Sequence, residues 1–155
     1  MKRIFAVLVG MAVAGLLAAA YLLAPQPYDT CVTASGSKFS AVFHEALVRE
    51  AGRHLDMADV ANFPWDTLLV FPAYTSGETI ERRTGNPYVG HEYVPEIETL
   101  FSFVLQGEEV CRLSWVGWID AGQNQYEFPR DVAKFLVDMK SNASTRLVPD
   151  RMTSR

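Results

Sequence analysis

The chain has 155 residues, 49% of them hydrophobic, and a formal net charge of −4 at pH 7. When Lys2 and Arg3 at the N-terminus are set aside, twelve basic residues remain against eighteen acidic ones, a formal charge of −6. Binding to a nucleic acid backbone needs a basic patch, so this balance predicts no nucleic acid partner.

The N-terminus predicts export. Lys2 and Arg3 precede an uncharged apolar run over residues 4–24, which Pro25 ends. About 20 apolar residues span a bilayer core, so this run predicts a single-pass anchor in the cytoplasmic membrane, with the N-terminus inside and the domain outside. The alternative is a signal peptide cleaved after Ala20, which would leave an exported soluble protein. Both interpretations place the domain outside the cytoplasm.

The remainder is predicted to form one domain between a linker and a tail. After the anchor or signal peptide of residues 1–24, the predicted linker covers residues 25–36, the α+β domain residues 37–140, and the polar tail residues 141–155. The chain has two cysteines, and an even count in an exported protein predicts one disulfide, Cys31–Cys111.

Three segments in the first half of the domain have clear patterns. Apolar residues recur at helical spacing over residues 39–51. Residues 66–74 contain an unbroken apolar run, which is typical of a strand covered on both faces. Thr75 and Glu78 have the spacing of a capping box, and they predict a short helix that Gly85 ends.

Residues 98–117 predict a β-hairpin, because apolar residues alternate along both of its arms. Placing both apolar sets on one face predicts the pairs Leu105–Cys111, Phe103–Leu113 and Phe101–Trp115. That register needs an odd-length connection centred on Glu108. Residues 126–128 predict a short strand, and residues 130–140 fit either a helix or a strand, of which we favour the strand. The predicted fold class is α+β: an antiparallel sheet of about four or five strands with helices packed on one side.

Familiar catalytic and metal-binding patterns do not occur in the sequence. The three histidines lack the spacing of a zinc-binding HExxH motif, and there is no nucleophile elbow, P-loop or dinucleotide fingerprint. The sequence therefore predicts no metal and no cofactor. Asp66, beside Trp65, is the one carboxylate with the local surroundings of a general acid. Since Pro64 starts a buried strand rigidly, we interpret Trp65 as a core residue and Asp66 as a structural acceptor for nearby backbone N–H groups.

Four aromatic residues lie at predicted loops and strand ends rather than on the core alternation: Tyr88, Tyr93, Trp118 and Tyr126. Exposed tyrosine and tryptophan are typical anchors of protein interfaces, so these are candidate binding residues. The alternative is that they cover the open ends of a small sheet.

The segment WDTLLVFPAYTSGETIERRTG, residues 65–85, resembles small exported or lipoprotein-type bacterial proteins of uncharacterised function. In these proteins a Trp-Asp pair leads a hydrophobic strand, which ends in an aromatic-Tyr-Thr/Ser turn before a short helix. The resemblance implies an envelope location and a compact α+β domain. The chain lacks the lipobox cysteine, so attachment would depend on the N-terminal helix. Residues 75–117 also resemble a repeat of the β-lactamase-inhibitor-like fold, which does not fix a function.

These observations favour a membrane-anchored, noncatalytic module outside the cytoplasm that binds another envelope protein or a secreted one, as an inhibitor or immunity protein would. The alternative is a small envelope hydrolase that uses Asp66 with a loop residue such as His91 or Glu92. Geometry discriminates between them. A pocket in which Asp66 meets a second titratable group favours the enzyme, and exposed aromatic residues around a filled site favour binding.

Overall fold

The computed structural model describes residues 31, 38–89, 91–120, 127–139 and 145–150. The predicted anchor, most of the linker and Tyr126 lie outside these residues. None of the helices within the described ranges is long and apolar enough to cross a membrane.

The described chain contains three α-helices, one turn of 3-10 helix and eight strands. The helices are α1 (Phe39–Arg49), α2 (Met57–Val60) and α3 (Gly77–Thr84), and the 3-10 turn is Arg130–Val132. The strands are β1 (His54–Asp56), β2 (Thr67–Phe71), β3 (Glu98–Leu105), β4 (Glu108–Val116), β5 (Trp118–Ile119), β6 (Glu127–Pro129), β7 (Lys134–Met139) and β8 (Thr145–Pro149).

The fold is α+β, as predicted, but it has two sheets where the sequence predicted one. One sheet has the order β1-β7-β8-β5, and the other has the order β4-β3-β2-β6. All strand pairs are antiparallel except β5 with β8. The additional sheet uses strands of two, three and five residues, β5, β1 and β8, whose patterns are too short to predict from periodicity.

Strand β8 lies inside the segment that sequence reasoning assigned to a polar tail. It pairs with β7 on one side and β5 on the other, and the side chain of Leu147 is fully buried. The neighbouring residues Arg146 and Val148 are half-buried, so a single residue of this strand faces the core. A single buried residue in a five-residue strand gives no periodic signal.

The main core lies against the inner face of the β4-β3-β2-β6 sheet. Phe101 and Phe103 of β3 pack there with Phe39 and Phe43 of α1, and the ring centroids of Phe39 and Phe103 are 5.4 Å apart. The other sheet contributes residues such as Phe135. Helix α1 therefore follows its predicted apolar spacing.

A second apolar cluster covers the outer face of the same sheet. Ile80 of α3 packs with Leu69, Phe71 and Leu100 of the strands. Helices therefore cover both faces of this sheet, rather than one side as predicted. Strand β2 is buried on both faces, which confirms the interpretation of its unbroken apolar run.

The hairpin forms, but its predicted register is wrong by two residues. Phe103 lies opposite Cys111, and a two-residue turn joins the strands in place of an odd-length connection. Gln106 and Gly107 have φ angles of 53° and 86°, so both central residues of this turn are in the left-handed region. A bulge after Phe103 absorbs Val110 and restores the alternation of Cys111 with the core.

Helix α3 begins one residue later than the predicted capping box. Ser76 is the N-cap, and its hydroxyl accepts from the backbone N–H of Thr79 at 3.3 Å. The hydroxyl of Thr75 instead donates to the carbonyl of Pro72 at 2.7 Å. The predicted end of the helix at Gly85 is confirmed.

Candidate functional site

Cys31 and Cys111 lie at disulfide distance, with 4.8 Å between their Cα atoms. Both side chains are buried in the main core. The pairing ties the chain just before α1 to the central part of β4, as the sequence prediction requires.

Asp66 lies at the entrance of β2, and its carboxylate reaches the hairpin. It accepts a hydrogen bond from the backbone N–H of Gln106 at 2.7 Å. The backbone N–H of Asp66 also donates to the carbonyl of Val104 at 2.9 Å. The carboxylate therefore holds the left-handed turn in place, which is the type of role that the sequence analysis assigned to Asp66.

Trp65 packs in the main core, and Arg130 fixes its surroundings. The indole N–H of Trp65 donates to the carbonyl of Ala61 at 3.2 Å. The guanidinium of Arg130 lies 5.0 Å from the centroid of the indole ring and donates to the carbonyls of Phe63 and Trp65. Sequence reasoning missed Arg130, because a single arginine before a strand has no distinguishing pattern.

The residues proposed for a hydrolase do not come together. Asp66 precedes the first residue of β2. The backbone carbonyl of Glu92 accepts from the backbone N–H of Gly77, which lies beyond the last residue of β2. The two residues therefore lie at opposite ends of β2. Within the described ranges, no group of three or more His, Cys, Asp or Glu side chains could hold a metal ion.

A buried polar network lies on the outer face of the sheet. Arg112 donates to both oxygens of Glu109, with two distances of 2.7 Å. Glu109 also accepts from Ser102 at 2.5 Å and from Asn86 at 3.0 Å. Arg112 donates in addition to the carbonyl of Pro87 at 2.9 Å. The network fastens the loop after α3 to strands β3 and β4.

The bulge at Val110 makes this ion pair possible. Residues three apart in a regular strand point to opposite faces. The extra residue puts Glu109 and Arg112 on the same face, where their side chains are only 7% and 8% exposed. The sequence does not predict this ion pair, since a bulge leaves no reliable pattern in a single sequence.

A cavity of about 590 Å³ lies between the end of β2 and helix α3. We call it the α3 cavity. Phe71, Pro72 and Tyr74 form its apolar wall. Tyr74 has a φ angle of 66°, a conformation that is rare for a bulky residue, and 64% of its side chain is exposed.

Hydroxyl and guanidinium groups line the other side of the α3 cavity. These groups belong to Thr75, Ser76, Thr79, Arg82 and Arg83. None of the described lining residues is acidic. The charged side chains of the lining are therefore both cationic, and their glutamate partners, Glu78 and Glu127, lie outside the lining.

Exposed apolar and aromatic side chains surround the end of the sheet at which β2 ends and β3 begins. We call this set the sheet-end surface, and its members are Tyr74, Tyr93, Ile97, Val116 and Trp118. Backbone contacts bring them close in the fold: the segment of Tyr93 bridges the residue before α3, Ile97 accepts from Gly117, and Val116 pairs with Glu98. Tyr74 belongs to both the sheet-end surface and the α3 cavity.

Glutamates hold the two tyrosines of this surface. Partial desolvation and the hydrogen bond with Glu96 raise the pKa of Tyr74 above its ordinary value. The hydrogen bond with Glu92 raises the pKa of Tyr93 in the same direction.

The four aromatic residues predicted to bind differ in position. Tyr93 and Trp118 are 47% and 49% exposed, and they belong to the sheet-end surface. Tyr88 is buried and packs in the outer apolar cluster under α3, so it is a core residue and not an exposed anchor. Tyr126 lies outside the described residues. Sequence reasoning missed Tyr74, because this residue ends the apolar run of residues 66–74 and was assigned to the buried strand.

Comparison with protein-family models, curated proteins and solved structures finds no match to this chain.

Proposed function

We propose that the chain is a membrane-anchored, noncatalytic module outside the cytoplasm that binds another envelope protein or a secreted protein. The observation that carries this proposal is the sheet-end surface. Tyrosine and tryptophan side chains bury large areas at little entropic cost and dominate binding energy at many interfaces. Backbone contacts bring these exposed residues to one end of the sheet, and large exposed apolar patches mark interaction sites on soluble domains.

The surroundings of Asp66 favour this function over the hydrolase. The Asp66 carboxylate is engaged by the hairpin backbone, and it is not among the residues that line the α3 cavity. A general acid or base must lie within hydrogen-bond reach of its substrate. The α3 cavity offers arginines and hydroxyl groups, which bind and orient a ligand without transferring a proton at neutral pH.

Export supports the same proposal. The pairing of Cys31 with Cys111 suits an oxidising compartment, and residues 4–24 provide the anchor. N-terminal sequencing of the mature protein tests the anchor. We expect the intact N-terminus in the membrane fraction, and a mature chain that begins at Tyr21 would contradict it.

Site-specific photo-crosslinking in intact cells tests binding. A photoreactive amino acid replaces Trp118 or Tyr93 in turn, and the matched control replaces Val48, an exposed apolar residue of α1 outside the sheet-end surface. We expect one discrete adduct from both positions of the surface and none from Val48. Equal adducts from all three positions, or no adduct from any, would refute the proposal.

A further inference from the structure

We infer that the α3 cavity receives an acidic side chain of the bound partner, with an apolar side chain next to it in the partner's sequence. This inference rests on the proposed function and specifies the chemistry of the partner. It depends on the charge, the size and the position of the cavity.

The charge of the cavity favours an anion. Arg82 lines it and has weak internal partners: its guanidinium lies 3.9 Å from the exposed Glu78 and donates to the hydroxyl of Thr79 at 3.3 Å. Arg83 is more firmly engaged, since it donates to Glu127 at 2.7 Å. Arg82 can therefore turn its planar fork to a carboxylate, which such a fork binds with two parallel hydrogen bonds.

The size of the cavity requires more than a bare anion. A volume of about 590 Å³ lies within the range of pockets that hold drug-sized ligands, roughly 300 to 1,000 Å³. A carboxylate at Arg82 would leave the wall of Phe71, Pro72 and Tyr74 uncovered. An apolar side chain beside the acidic residue would cover this wall.

The position of the cavity indicates a protein rather than a small molecule. Tyr74 is shared with the sheet-end surface, so a ligand in the cavity is continuous with an interface larger than the cavity itself. Glu92 and Glu96 lie beside the exposed tyrosines and would repel an acidic side chain there. Repulsion at the tyrosines and attraction at Arg82 together fix where the partner's carboxylate binds.

Paired synthetic peptides test the inference directly. The members of each pair are identical except for Glu or Gln beside a phenylalanine, and binding to the full-length protein in detergent is measured by fluorescence anisotropy. We expect the Glu members to bind about tenfold more tightly, because a charged hydrogen-bonded pair contributes about 1.5 kcal/mol or more. Arg82→Gln should abolish this preference. Arg49→Gln, which makes the same change of charge on exposed α1, should keep it.

Four results would overturn the inference. Glu and Gln peptides could bind equally, or Arg82→Gln could leave the preference unchanged. Acetate or inorganic phosphate could also displace the Glu peptides at the peptides' own molar concentration, which would make the cavity a site for a small anion. If photo-crosslinking from Trp118 persists unchanged in Arg82→Gln, the inference fails while the proposed function stands. If crosslinking from Trp118 is absent in the wild type, the proposed function itself fails.

Discussion

Substitution of Arg112 by methionine should destabilise the domain strongly, because it leaves a buried carboxylate without its cation. Glu109 is only 7% exposed, and Arg112→Met removes two of its hydrogen bonds at 2.7 Å. Removing one partner of a buried ion pair costs about 3 to 5 kcal/mol. Ser102 and Asn86 still donate to Glu109, so we expect the lower end, about 3 kcal/mol.

Thermal unfolding followed by circular dichroism measures this effect. For a domain of this size, about 3 kcal/mol lowers the melting temperature by about 10 °C or more. Arg49→Met is the matched control, since Arg49 is 62% exposed and pairs only with its neighbour Glu50. It should change the free energy of unfolding by less than about 0.5 kcal/mol.

A double variant separates the charge from the packing. Arg112→Met with Glu109→Leu removes both charges and leaves apolar side chains on the outer face. Its loss of stability should be smaller than that of Arg112→Met alone, because no charge is left buried without a partner. If Arg112→Met melts like the wild type, the network does not hold the loop as described. The same conclusion follows if the double variant loses as much stability as Arg112→Met and Glu109→Leu lose together when each is made alone.

Three further predictions test other parts of the structure. Asp66→Ala should cost about 1 kcal/mol by releasing the backbone of Gln106, and Asp66→Asn, which keeps an acceptor oxygen, should cost less; equal melting of Asp66→Ala and wild type would show that the bond does not contribute. Gln106→Asn should raise the free energy of unfolding by a few tenths of a kcal/mol, because asparagine tolerates a positive φ better, and an unchanged urea midpoint would contradict this. Cys31 and Cys111 should resist alkylation in the exported protein under non-reducing mass spectrometry, and loss of the bridge should cost about 4 kcal/mol for a separation of 80 residues; two freely alkylated thiols would refute the bond.

The sequence predicted the elements that have strong local patterns. Helix α1, the buried strand β2 and the end of α3 at Gly85 follow from apolar spacing and from one glycine. The hairpin strands were also predictable from alternation. Their register was not, because the two-residue turn and the bulge at Val110 compensate for each other, and a regular alternation cannot predict either of them.

The residues of the candidate site were harder to predict. Tyr93 and Trp118 were identified because they interrupt the core alternation, and both are exposed. Arg82 was not identified, since the sequence does not show that the end of β2 and helix α3 enclose a cavity. The second sheet was missed for a similar reason: its strands are short, and they join residues that are far apart in the chain.

Stability and binding should be separable in this domain, because the described contacts of the buried network are to residues other than those that line the α3 cavity. The buried network of Arg112 fastens the loop after the helix. Backbone hydrogen bonds fasten its first turn beside the α3 cavity, where Gly77 donates to Glu92 at 2.9 Å. Arg112→Met should therefore lower the melting temperature while the folded protein keeps its preference for Glu peptides at low temperature. Arg82→Gln should abolish the preference for Glu peptides and leave the melting temperature unchanged. Arg82 is exposed, and the described contacts of the network do not include it.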